Sequence, residues 1–305
     1  MGKVNVSKLK TFTGHNDCVY TLERTGHDHL FFSGAGDGMV VFWNLKESEN
    51  GQLIAKLPNS VYALHYLKSR NLLIAGHNYE GIHLLDWENK KEVGSLKMTD
   101  QAIFDVNSFG DHLYVGDASG TVTVVDLTSL RVIYKIEGPS KSARAIAINE
   151  QNGEMAVGYS DNKVRIFNLE DYQLIKELEG HKNSVFTVKY SPDGQLLVTA
   201  GRDAHLKIWD AKAGYIELED IVAHMYTINN LDFSPDGKHF VTCSMDKSIK
   251  IWDTHAFKLL KVIDKARHAG HGTSVNKLLW SSYNDLLVSA SDDRAISVWD
   301  IEFNS

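Results

Sequence analysis

Four times along the chain a histidine, a hydroxyl residue, an aspartate and a tryptophan recur in one pattern. The sets are His15, Ser33, Asp37 and Trp43; His181, Thr199, Asp203 and Trp209; His224, Thr242, Asp246 and Trp252; and His271, Ser289, Asp293 and Trp299. In every set the tryptophan follows the histidine by 28 residues, the hydroxyl by 10 and the aspartate by 6. A hydroxyl, an imidazole and a carboxylate are the parts acyl transfer requires, as nucleophile, base and orienting group. One hydrolytic centre needs one such set, so a fourfold repetition at constant spacing argues against a catalytic triad and for a unit repeated along the chain. Other groupings are weaker. His27-Asp28-His29 and the cluster from His268 to His271 lack three or four converging ligands with outer-shell partners, and no metal or other cofactor is expected. The stretch Gly34-Ala35-Gly36-Asp37-Gly38 lies in a strand turn without the following helix that would cradle a phosphate.

The elements that must position these residues show the same repetition. Seven alternating segments in one register end at Trp43-Asn44, Leu85-Asp86, Val125-Asp126, Phe167-Asn168, Trp209-Asp210, Trp252-Asp253 and Trp299-Asp300. Successive copies are 40 to 47 residues apart and leave no stretch for another domain. Each repeat holds four short runs with period-two alternation, separated by turn sequences such as those at 191–195 and 234–238, and helical periodicity is absent. Four strands in a unit of this length is a propeller blade, whose sheet cannot cover its own faces and must stack on neighbours. The predicted fold is therefore all-β, a single domain over 1–305: a seven-bladed β-propeller of four-stranded antiparallel blades. An extra alternating segment precedes His15, and the last repeat stops soon after Trp299. Residues 3–12 are accordingly predicted to form the outer strand of the blade completed by 271–303, which hides an edge from pairing.

Composition narrows the function classes. A formal charge of −7 and a pI of about 6.0 give no electrostatic reason to attract nucleic acid or an anionic membrane. No apolar run resembles a secretory signal or a membrane span, so an intracellular, cytoplasmic protein is expected. Cys18 and Cys243, far apart in sequence, read as thiols in a reducing compartment. Val6 stands where N-myristoylation of Gly2 wants a hydroxyl.

With Gly14-His15, Gly180-His181 and Gly270-His271, and with Trp209-Asp210, Trp252-Asp253 and Trp299-Asp300, the chain resembles the WD-repeat family over essentially its whole length. The resemblance implies that the four sets are structural hydrogen-bond tetrads, the histidine bridging the turn aspartate and the hydroxyl, which in turn holds the indole N–H. Repeats two to four depart from it, carrying Leu57, Ala75, Tyr79 and Leu85, then Val115, Ser119 and Val125, then Pro139, Val157, Asp161 and Phe167; Asp161 is expected to cap its own turn.

The family's partner-binding positions, at the channel mouth, lie five residues after the histidine and one before the turn aspartate, beside a position three after the histidine that is mostly small here, as at Cys18, Ser60, Ala102, Ser142, Ser184, Thr227 and Ser274, and leaves room for a groove. Carried over, they point to Tyr20, Tyr62, Phe104, Arg144, Phe186, Asn229 and Asn276, and to Arg202, Met245 and Asp292. Aromatics and arginine are rich in contact area and forked hydrogen bonding. Arg144 and Arg202 suit an acidic or phosphorylated side chain, and Asp292 a basic one. The resemblance thus implies a non-catalytic scaffold that binds a protein or peptide. Two alternatives stand beside it: a propeller hydrolase or lyase with a channel-mouth site, for which these positions offer little acid–base chemistry, and an architectural subunit that uses the blade circumference.

Overall fold

The computed structural model describes residues 4–47 and 51–304. Met1, Gly2 and Lys3 lie outside the described residues, so the lipidation reading and the first residue of the expected outer strand fall outside it too.

Hydrogen bonding sorts the strands into seven four-stranded antiparallel sheets, and one helix of four residues, Lys265–His268, is the only helical element described. Six sheets take their strands in sequence order. The seventh has the order Val4–Phe12, Ile296–Phe303, Leu287–Ser291, Val275–Trp280, so that the first strand of the chain closes the last blade. These are the blades of a seven-bladed β-propeller. By contact the chain divides into two units, Met1–Val61 with Asn229–Ser305, and Tyr62–Ile228. The first and the last two blades lie in the former and the second to fifth in the latter.

Local chemistry explains the blade. In the fifth, Val185–Tyr190, Leu196–Gly201 and His205–Asp210 are largely buried, while the outer strand Ile216–Val222 is almost wholly exposed. The β-branched and aliphatic residues of the inner strands cover both faces of the sheet, as stacking between blades demands. The turn at 191–194 is closed by Gly194 N–H to Ser191 C=O at 2.8 Å, and Asp193 Oδ1 accepts the Gln195 N–H at 3.1 Å. Glycine is obligatory at 201, where a Cβ would stand 2.1 Å from the Ser184 carbonyl oxygen.

Blades within a unit are also tied by polar bonds. Asp105 accepts the Ile146 N–H at 2.7 Å, and Asp232 accepts the Trp280 N–H at 2.8 Å while pairing with Arg24. Cys18 and Cys243 are free thiols.

Candidate functional site

In the fifth blade the four recurring side chains form one chain of hydrogen bonds. Trp209 Nε1–H donates to Thr199 Oγ1 at 3.0 Å, Thr199 Oγ1 lies 2.9 Å from His181 Nε2, and His181 Nδ1 lies 2.9 Å from Asp203 Oδ2. Because an indole can only donate, the hydroxyl proton goes to Nε2, and Nδ1–H is left for the carboxylate. The last blade repeats the arrangement with Trp299 to Ser289 at 2.8 Å, Ser289 to His271 at 2.8 Å and His271 to Asp293 at 2.9 Å. The first blade has Trp43 to Ser33 at 2.7 Å and Ser33 to His15 at 2.7 Å, with a longer 3.4 Å step to Asp37. In the sixth, Trp252 donates to Thr242 at 3.0 Å, Asp246 accepts the Ser248 N–H at 2.9 Å, and His224 is buried.

All four hydroxyl residues have 0% exposure. Each hydroxyl accepts the indole N–H of its own tryptophan inside the blade. The carboxylates do more than face a histidine: Asp203 also accepts the Lys182 and His205 N–H groups at 2.8 and 3.1 Å, pinning the turn between the second and third strands.

Protonation follows from this geometry. Burial alone would raise the Asp203 carboxyl, but the His181 and backbone hydrogen bonds outweigh it and hold the group below the ordinary carboxylate range; Asp293 behaves likewise. Burial, opposed by Asp37, lowers His15 below 6.5. A native group whose proton is held more weakly than in the unfolded chain stabilises the fold above its unfolded value and loses that contribution as pH falls through the native one. For His15 the loss begins below about pH 6.5 and for the aspartates below about pH 4. The free energy of unfolding, measured by urea titration, is therefore expected to fall on acidification in those two windows, with a shallower lower limb in Asp203→Asn. A flat profile between pH 7 and pH 3 would contradict the assignment.

The three divergent blades use other means. Leu57, Ala75 and Leu85 are buried and apolar, and Tyr79 is exposed at a positive φ of 71°. Asp117 in the third blade accepts Thr99 Oγ1 at 2.8 Å and the Ser119 N–H at 2.9 Å, a brace the sequence reading overlooked because its residues lie off the repeat spacing. Asp161 accepts the Lys163 N–H at 3.2 Å and also binds Arg165 at 2.8 Å.

Five of the seven residues carried over from the position five after the histidine share a backbone feature. In the innermost strands the pairing register slips between Val19 and Thr21, Ile103 and Asp105, Ala143 and Ala145, Val185 and Thr187, and Val275 and Lys277. Tyr20, Phe104, Arg144, Phe186 and Asn276 are thus the extra residues of β-bulges, which leave a side chain outside the ladder and re-aim it.

In the second unit this gathers a cluster. The Arg144 guanidinium carbon lies 4.0 Å from the Phe104 ring centroid and 5.1 Å from that of Phe186, and Tyr62 packs on Phe104 with centroids 5.9 Å apart. Arg144 Nε–H donates to Ser160 Oγ at 3.0 Å, and among the described residues its Nη groups take no hydrogen bond. Burial, and then the charge of Arg202, lower Arg144 below its ordinary value; an arginine nevertheless stays charged. Arg202 is exposed and the other four are half-buried.

In the first unit the corresponding polar groups are already engaged. Asn276 Nδ2 donates to Asp292 Oδ1 at 2.7 Å and to the Val19 carbonyl at 3.0 Å, and Asn229 Nδ2 donates to Ser274 Oγ at 2.9 Å and the Val275 carbonyl at 2.8 Å. Tyr20 is half-buried and Met245 exposed. The sequence reading also passed over His77, Glu80 and His83, whose ligating atoms lie within 4.8 Å of one another. Their His-x-x-Glu-x-x-His spacing was the available signal, and it gains meaning only once a tight turn folds it.

A family model described as "WD domain, G-beta repeat" matches residues 6–44, 172–210, 217–253 and 262–300. These are the repeats that carry the complete sets. Similar proteins include the mouse "Periodic tryptophan protein 2 homolog", 28% identical over 41% of this chain and 15% of the relative, and the "66 kDa stress protein" of Physarum polycephalum, 24% identical over 69% and 35%. The "Probable cytosolic iron-sulfur protein assembly protein 1" of Kluyveromyces lactis is 29% identical over 35% of each chain. The matches span no more than 35% of these relatives' own lengths. With the family model matched over half of the chain and seven four-stranded blades, this protein belongs to the WD-repeat family.

Proposed function

We propose that the chain is a non-catalytic WD-repeat scaffold, working in the cytoplasm, that captures a protein or peptide partner through the Arg144 cluster. The observation that carries this reading is the arginine held between Phe104 and Phe186 with its Nη groups unbonded. Such an arginine is pre-oriented: the Nε–H bond to Ser160 and the contacts with two rings restrict the guanidinium, so a carboxylate or phosphate can take its Nη N–H groups at a reduced ordering cost. With Arg202 nearby the cluster favours an acidic or phosphorylated partner side chain. The buried hydroxyls of the recurring sets speak for binding rather than hydrolysis. Asp292, Asn276, Asn229, Tyr20 and Met245 are proposed as weaker contributors, since the amides and the carboxylate already spend donors and acceptors on their own unit.

Simultaneous Ala substitution at Phe104, Arg144 and Phe186 is expected to abolish partner capture, with a loss of at least about 2 kcal/mol if the three behave as a hot spot. The melting curve should stay near that of the parent. Affinity purification with mass spectrometry, followed by arrays of acidic, phosphorylated and basic peptides, checks both the site and its charge preference. Undiminished capture by the triple variant would remove this surface from consideration.

A further inference from the structure

Histidine 77 ends the second strand of the second blade, Leu72–His77, and His83 lies in the third, Gly81–Asp86. The turn between them carries Tyr79 and Gly81 at positive φ, and Gly81 is irreplaceable because a Cβ there would stand 2.1 Å from the Leu96 carbonyl oxygen. This turn folds Glu80 back on the two imidazoles. His77 Nδ1 lies 3.5 Å from Glu80 Oε2, and the two rings meet edge to face with centroids 5.4 Å apart. His77 is fully buried, and the His83 side chain is 14% exposed. Both nitrogens of His83 are buried without a hydrogen bond, Nδ1 lying 3.4 Å from Glu92 Oε1 on the outer strand. A buried imidazole with neither nitrogen satisfied calls for an explanation.

The fourth and fifth blades supply one by comparison. Two residues before the Trp209 position, Lys207 sits between Glu217 at 2.9 Å and Asp220 at 2.7 Å; two before Phe167, Arg165 sits between Asp161 at 2.8 Å and Glu177 at 2.7 Å. The equivalent residue of the second blade, two before Leu85, is His83, and it too meets two carboxylates, Glu80 and Glu92. Two acids thus face a place where the fourth and fifth blades put a permanent cation and this blade puts an imidazole, which offers a lone pair instead.

We propose that His77, Glu80 and His83 form a site for a divalent transition-metal ion, zinc being the best fit. Two imidazoles and one carboxylate are a borderline nitrogen and oxygen set suited to zinc. In a tetrahedral zinc site neighbouring donors are about 3.3 Å apart, given bonds of about 2.0 Å. The 3.5 Å separation of His77 and Glu80 is close to that, and the exposed Glu80 can swing to complete the rest. Glu92 Oε1, 3.4 Å from His83 Nδ1, is the outer carboxylate placed to take that nitrogen once the other meets the ion. The 54% exposure of Glu80 opens the path of entry and leaves a fourth position to water.

The test uses the full chain, stripped with a chelator and titrated with zinc chloride by calorimetry, with cobalt(II) absorption as a second readout of tetrahedral coordination. The parent is expected to bind one equivalent. Glu80→Gln or His83→Gln should weaken that binding about 100-fold, and Glu92→Gln about 10-fold. His27→Gln, on an exposed loop, should leave it unchanged. Glu80→Gln removes only an exposed side chain and stays folded, so it decides the matter even if His83→Gln does not fold. Absence of stoichiometric binding in the parent, or equal binding in Glu80→Gln, would overturn the proposal.

Discussion

Deleting residues 1–12 is expected to unfold the protein at denaturant concentrations the parent withstands easily. Val4 pairs with Phe303 and Phe12 with Ile296 at the two ends of an antiparallel ladder that supplies the fourth strand of the last blade. Val4 and Phe12 are 6% and 3% exposed, and the Phe12 ring lies 5.1 Å from Trp43 and 6.0 Å from Phe31 in the first blade. Lys10 reaches the same blade, donating to the Leu45 and Glu47 carbonyls at 2.8 and 2.9 Å. Phe12→Ala alone should cost about 3–5 kcal/mol through the cavity it leaves. Removing the strand adds the loss of a ladder and exposes an unpaired edge along Ile296–Phe303, which invites association between chains. Urea titration reads the first effect and light scattering the second. A truncated chain with the parent's midpoint would refute the closure.

Replacing Asp203 by alanine should destabilise the fifth blade by about 3 kcal/mol, because it removes one member of a network while the others stay buried. His181 Nδ1 loses its 2.9 Å partner, and the Lys182 and His205 N–H groups lose theirs. The second blade supplies the contrast. With Leu57, Ala75 and Leu85 it has no such network to break, and an all-apolar set leaves nothing unsatisfied. A fourfold change in the fifth blade, His181→Leu, Thr199→Ala, Asp203→Tyr and Trp209→Leu, is thus expected to cost less than the sum of the single changes, the signature of a coupled group. Partner capture below the melting temperature should survive Asp203→Ala. Unchanged stability in that variant, or lost binding without lost stability, would overturn the structural role of the set.

The architecture was open to reading from the chain because it rests on short-range regularities. Alternation with period two marks each strand, Asp193 and Asp236 with their glycines mark turns, and the constant 28-residue interval marks equivalent places in successive blades. None of these needs a long-range contact to be seen. Asp117 with Thr99 was missed for the opposite reason. Their pairing depends on where two loops of one blade come together, not on the repeat spacing.

What the sequence determined by itself is the repeating unit, its number and the strand that completes the last blade, since each follows from alternation and spacing along the chain. Only the tertiary structure decided that Arg144 is clasped by Phe104 and Phe186, that Asn276 and Asp292 satisfy each other, and that His77, Glu80 and His83 converge. The physical reason is that side-chain direction is set by bulges and turns that shift register by a single residue. The neighbours so aimed come from successive blades, from different strands and turns of one blade, or from opposite sides of a tight turn, where residue order alone carries no distance.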